Sequence, residues 1–158
     1  MWQVLSLLPE AGGVEYAALA SHGSTLYLVG GRSRDGRSLR TVFMMDLEKG
    51  GWKRGPDMTE VRWYHGAVVI GSRLYSVAGC GLLDSIEMLE LSDTGSAHQW
   101  QGLQPMSHPR HLPGVGYMGN KIYVVGGTDD NWQAFATVEM YNTETGEWRR
   151  LPDMDVPR

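Results

Sequence analysis

An all-β fold assembled from repeated four-stranded sheets is what this sequence predicts, on three observations. The first is a strict period. "TLYLVGG" at residues 25–31, "RLYSVAG" at 73–79 and "KIYVVGG" at 121–127 are variants of one segment, and Tyr27, Tyr75 and Tyr123 stand 48 positions apart. Trp52, Trp100 and Trp148 keep the same spacing, as do Met58, Met106 and Met154, the arginines Arg62, Arg110 and Arg158, and the glycines Gly31, Gly79 and Gly127. A fixed period of a few tens of residues decides architecture before any local motif does. The second observation is that each period holds short apolar segments separated by turn residues. The third is composition: 21 Gly, 6 Trp and 7 Tyr against 2 Phe favour pleated strands joined by tight turns.

The strands of one unit read most clearly in the third repeat. "GVGYM" and "KIYVV" flank Gly119-Asn120, a dipeptide that accepts positive φ and suits a hairpin, which gives the first two strands. After a loop of about ten residues, "TVEMYNTETGEWRRL" gives the third and fourth around a turn at Thr143 to Gly146. Four short antiparallel strands cannot bury both faces of their sheet, so the sheets must stack on one another. A ring of such sheets hides the strand edges that a linear stack would expose, and a β-propeller is therefore the expected arrangement.

In chain order, residues 1–11 read as a lone outer strand of a preceding or incomplete blade, and residues 12–57, 58–109 and 110–158 as three complete repeats. The first is irregular: Trp2 lies 50 residues before Trp52, and Val14 falls where the repeat has Arg. In the second, the loop from Gly79 to Ile86 is four residues shorter than that from Gly127 to Val138, while Leu89 to Trp100 is four residues longer than Tyr141 to Trp148. The two changes cancel, as expected where loops vary and strands hold the packing.

The glycine doublets "GG", "AG" and "GG", the segment "VEMYNTETGEW" and the closing M-x-x-x-R of "MTEVR", "MSHPR" and "MDVPR" resemble the kelch repeat family over nearly the whole chain. The departures are Ala78 at a doublet glycine, Leu89 where the family commonly has Tyr, and residues 6–20. The resemblance implies a kelch β-propeller, commonly of six blades. Three four-stranded blades plus one extra strand would be half of such a ring, so the chain is expected either to be a piece of a longer polypeptide or to close the ring as a homodimer.

With a formal charge of -4, the chain gives no general electrostatic reason to bind nucleic acid. It has no segment resembling a signal peptide or membrane span, and Cys80, its single cysteine, excludes an internal disulfide. A cytoplasmic location and no membrane partner are expected. No catalytic group stands out. His108-x-x-His111 is the one metal-like spacing, interrupted by Pro109 and Arg110 with no Cys or carboxylate cluster beside it, so no metal is expected. Asp129-Asp130 reads as a solvated turn, and "GGTDDNW" lacks the pattern of a calcium loop. "GGRSRDGRSLR" lacks the Lys-Ser/Thr end and the helix of a phosphate cradle, so no cofactor is expected. Its Arg32, Arg34, Arg37 and Arg40 form either a solvated loop or a patch that forks onto carboxylates or phosphates of a partner.

Strand alternation places the loops between second and third strands, and those leading into the next blade, on one side of the ring. In kelch domains that resemble this chain, partner peptides dock on that side, near the residue after the doublet and the residues at or just after the motif Arg. Position by position, that nominates Arg32, Cys80 and Thr128 with Arg62, Trp63, Arg110 and His111, joined by Arg34, Arg37 and Trp132. Trp63 and Trp132 lie outside the repeat's structural Trp position, and exposed Trp and Arg anchor interfaces. Trp63 also suits core packing, the motif arginines also suit holding backbone carbonyls, and Cys80 is either a reactive thiol or a small residue filling a strand end. The resemblance implies a non-enzymatic protein-protein interaction module that binds a protein or peptide, as the substrate-recognition part of a cullin-type ubiquitin ligase adaptor in which a BTB domain precedes the propeller. An actin-binding scaffold is the alternative. A propeller oxidase would need clustered His and Tyr ligands, which the dispersed histidines do not provide.

Overall fold

A computed structural model describes residues 8, 13–80, 83–91 and 99–158 of the chain. The outer strand expected over residues 1–11 lies outside the described residues. The strands are β1 (Val14–Glu15), β2 (Ala18–His22), β3 (Thr25–Val29), β4 (Arg32–Ser33), β5 (Val42–Asp46), β6 (Trp52–Arg54), β7 (Gly66–Ile70), β8 (Arg73–Val77), β9 (Ile86–Glu90), β10 (Gln101–Gly102), β11 (Gly114–Met118), β12 (Lys121–Val125), β13 (Val138–Asn142) and β14 (Glu147–Leu151). They form three four-stranded antiparallel sheets, β2-β3-β5-β6, β7-β8-β9-β10 and β11-β12-β13-β14, here called blades 1, 2 and 3. A two-stranded ribbon pairs β1 with β4. The innermost strand β7 packs between β2 and β11, so the blades fan around a common axis without closing a ring.

Register follows the repeat. Tyr27 pairs with Met44, Tyr75 with Met88 and Tyr123 with Met140 on the two central strands. These alternating positions project toward the following blade. Tyr27, Val29, Val42 and Met58 of blade 1 meet Val69, Leu74, Leu89 and Trp100 of blade 2 in one apolar cluster. Tyr75, Val77, Ile86 and Met106 of blade 2 meet Ile122, Val124 and Tyr141 of blade 3 in another. The periodic Trp joins each seam by a polar edge as well: Trp100 Nε1 donates to the carbonyl of Pro56 at 3.0 Å and Trp148 Nε1 to that of Gln104 at 2.6 Å.

The doublet is where the chain leaves each second strand. The backbone there is left-handed, with φ of 60° and 102° at Gly30 and Gly31, and the second residue donates its N–H to the carbonyl of the motif arginine. That bond is 2.7 Å for Gly31 to Arg62 and 2.8 Å for Gly127 to Arg158. A Cβ on Gly30 would stand 2.5 Å from the Arg62 carbonyl oxygen. Ala78 carries such a Cβ at φ 64°, and in its blade the bond from Gly79 to Arg110 lengthens to 3.1 Å.

Candidate functional site

The motif arginines take the packing role. Arg62 and Arg110 are 0% and 1% exposed. Arg62 donates from Nη1 to the carbonyls of Ala78 and Ser85 and from Nε and Nη2 to Glu87 at 3.0 and 2.9 Å. Arg110 repeats this one blade on, with the Gly126 and Thr137 carbonyls and Glu139. Buried guanidinium groups need such paired acceptors. Each arginine therefore ties two blades, its carbonyl to the doublet of one and its side chain to the next. As partner contacts the two side chains are corrected: they lie inside the seams and face no solvent.

The residues after these arginines do reach the loop face, beside the residues after the doublets. Cys80 N–H donates to the Trp63 carbonyl at 2.8 Å, Thr128 and His111 exchange bonds of 2.8 and 2.9 Å, and Glu15 pairs with Arg32 in the β1–β4 ribbon. Arg32, Cys80 and Thr128 thus occupy one ring of equivalent positions.

An aromatic row runs across this rim. Tyr16 lies 4.4 Å from Tyr64 between ring centroids, Trp63 lies 4.6 Å from Tyr64, and Trp132 lies 6.4 Å from Tyr64 and 6.5 Å from His111. The Arg32 guanidinium sits 5.1 Å from the Trp63 ring, a cation–π distance, while its Nε donates to the Gly36 carbonyl at 3.0 Å. Trp132 is 62% exposed. His111 is buried, with Nε2 2.6 Å from Asp130 Oδ1, and His108 bonds Ser107 instead. Arg34 and Arg37 are exposed, but Arg37 is turned back on Asp35 at 2.8 Å.

Tyr16 and Tyr64 were not singled out by the sequence reading, although Leu112, Tyr64 and Tyr16 stand 48 residues apart. All three adopt left-handed φ, at 57°, 55° and 50° for Tyr16, Tyr64 and Leu112. Bulky residues hold that conformation only where surroundings enforce it. Here a row of backbone bonds around the axis does so: Tyr64 N–H donates to the Tyr16 carbonyl at 3.2 Å and Leu112 N–H to the Tyr64 carbonyl at 2.9 Å. The three residues, with the next residue of each blade, Ala17, His65 and Pro113, line a cavity of about 320 Å³.

Two titratable groups lie under the rim. Burial pushes the Cys80 thiol up to about 11, reinforced by Asp130 and opposed by Arg32, so at neutral pH it is a protonated thiol and a weak nucleophile. Burial, reinforced by Arg62, depresses His65 to about 3. Its two ring nitrogens have no hydrogen-bond partner among the described residues. The face can thus offer flat aromatic surface, a stacked cation and exposed guanidinium groups to an extended ligand.

A family model for the kelch motif matches residues 15–59 and 109–155, more than half of the chain. Beta-scruin of Limulus polyphemus is 30% identical over 132 residues, covering 80% of this chain and 14% of its own length. Kelch-like protein 26 of Danio rerio is 31% identical over 133 residues, covering 82% of this chain and 22% of its own. A RING finger domain and kelch repeat-containing protein of Dictyostelium discoideum is 32% identical over 133 residues, covering 80% of this chain and 13% of its own. The chain therefore spans less than a quarter of the length of these relatives.

Proposed function

The chain belongs to the kelch repeat family, and we propose that it is a non-enzymatic interaction module that binds a protein or peptide partner on the loop face. The observation that carries this reading is the row Tyr16, Tyr64, Trp63 and Trp132 with Arg32 stacked on Trp63, an aromatic and cationic surface, exposed at Tyr16 and Trp132 and partly exposed between them, held across three blades. Such residues are the usual anchors of interfaces, and a preformed row lowers the ordering cost of binding. The contact set is Arg32, Arg34, Arg37, Trp63, Cys80, His111, Thr128 and Trp132, extended by Tyr16 and Tyr64. The arginines favour a partner segment bearing carboxylates.

The finer setting we propose is substrate recognition within a ubiquitin ligase of the cullin type. It is favoured by a relative whose name joins kelch repeats to a RING finger, and it rests on analogy. Affinity capture with the wild-type chain, compared with Arg34→Ala/Trp132→Ala, tests the binding face. Partners that include ligase subunits or substrates, retained by the wild type and lost by the variant at unchanged melting temperature, are expected. Equal capture by both would remove this face from the proposal. Cosedimentation with actin filaments tests the scaffold alternative.

A further inference from the structure

Charge is divided unequally among the loops that share the loop face. The loop from β3 to β5 holds Arg32, Arg34, Arg37 and Arg40 against one acid, Asp35. The loop from β12 to β13 holds Asp129 and Asp130 and no cation, and the loop from β8 to β9 holds Asp84 and no cation. In a chain of net charge -4, the blade 1 end of the face is locally basic and the blade 3 end acidic.

The two ends are held apart. Arg32 sits 5.1 Å from the Trp63 ring with Nε donating to the Gly36 carbonyl, and Arg34 is exposed and makes no ion pair among the described residues. At the other end Asp130 lies 2.6 Å from His111 Nε2 with its side chain 50% exposed, while Asp129 Oδ1 accepts the N–H groups of Asn131 and Gln133 within its own loop. Among the described residues no ion pair joins the two loops. Cys80 lies between them: after burial, Asp130 and Arg32 act on its thiol with opposite signs. Trp63, Tyr64 and Trp132 span the gap in steps of 4.6 and 6.4 Å, so the Arg32 guanidinium and the Trp132 ring are no more than about 16 Å apart, the reach of about five residues of extended chain.

We infer that the occupant of this face is an extended segment of a partner protein carrying both signs of charge: a carboxylate that meets the blade 1 arginines and, within about five residues, a Lys or Arg that meets Asp130 and the exposed Trp132 ring, with apolar residues between them over the aromatic row. The inference rests on the reading of the loop face as a binding surface and adds the polarity of what binds there. A carboxylate beside an exposed indole attracts a cation by its charge and by the ring face together. A polyanion such as nucleic acid fits the blade 1 end and is repelled at Asp130. Direction follows from the same arrangement, because a segment laid the other way sets its carboxylate against Asp130 and its cation against Arg34. The face therefore selects the order of the two charges as well as their presence.

Phage display of random peptides on the immobilised chain supplies the probe, and affinities of the synthesised winners are read by fluorescence polarisation. The enriched peptides are expected to carry Asp or Glu and Lys or Arg within about five residues of each other. Asp130→Asn, which can keep the contact with His111, is expected to weaken such a peptide about three- to fivefold at unchanged melting temperature. It should leave unchanged the affinity of the same peptide with its basic residue replaced by Gln. Exchanging the acidic and basic residues within the peptide is expected to weaken it further than either single replacement. Winners bearing acids alone, equal weakening of both peptides by Asp130→Asn, or equal binding of the exchanged peptide overturns the inference and leaves the binding face standing. Enriched peptides that bind Arg34→Ala/Trp132→Ala as well as the wild type, or no enrichment at all, overturn the binding face and the inference with it.

Discussion

Arg62 and Glu87 meet inside the seam between blades 1 and 2, with Nη2 2.9 Å from Oε1 and side chains 0% and 2% exposed. The second oxygen of Glu87 accepts the Thr59 N–H at 2.8 Å, so one carboxylate fixes both the arginine and the turn that delivers it. Removing one partner of a buried pair leaves a charge with no water to solvate it. Glu87→Leu is expected to destabilise the chain by about 3–5 kcal/mol, and adding Arg62→Met to recover a good part of the loss. Urea unfolding of the wild type, the single and the double variant measures both.

The doublet gives a second prediction, about backbone rather than charge. Gly30→Ala places a methyl group against the Arg62 carbonyl and Met58 Cε, at 2.5 and 3.0 Å, in a left-handed residue. A loss of about 2–3 kcal/mol is expected. Ala78 already occupies the equivalent place at φ 64°, beside a longer bond of 3.1 Å from Gly79 to the Arg110 carbonyl. Ala78→Gly removes the left-handed strain but loosens the unfolded chain, and is expected to stay within about 1 kcal/mol of the wild type. Thermal melts of the two variants should therefore differ sharply although each exchanges the same pair of residues.

His65 predicts an acid dependence of stability. Its folded pKa, about 3, lies below the ordinary histidine value because burial penalises the imidazolium. Above about pH 6.5 the ring is neutral in both states and contributes no pH dependence. Below that, the unfolded chain takes up a proton that the folded chain refuses, so stability falls by up to ~1.4 kcal/mol per pH unit. His65→Phe should flatten the curve between pH 6.5 and 5, where the carboxylates are still ionised. An unchanged slope would mean that other groups carry the dependence.

Much of this architecture was legible because the packing positions obey the 48-residue period: the central tyrosines, the Met at each seam and the doublets all fall where repetition puts them. That the motif arginines hold backbone carbonyls was legible too, but their carboxylate partners were not. Their acceptors Glu87 and Glu139 are 52 residues apart, displaced by the four-residue change in the preceding loop, so the pairing breaks the period and links strands distant in sequence. The nominated rim residues Arg32, Trp63 and Cys80 come together through bonds between the segments after doublet and arginine, a register that spacing alone hinted at. Tyr16 escaped because the stretch around it departs from the repeat, although its side chain completes the aromatic row.

The binding face itself is tested most directly by site-specific photo-crosslinking in cells, with the reactive group placed at position 34 or 132 on the loop face, or at 144 in the turn between β13 and β14 on the opposite side. The account predicts that one partner protein is crosslinked from 34 and 132 and not from 144. Crosslinking of that partner from 144 alone would contradict it.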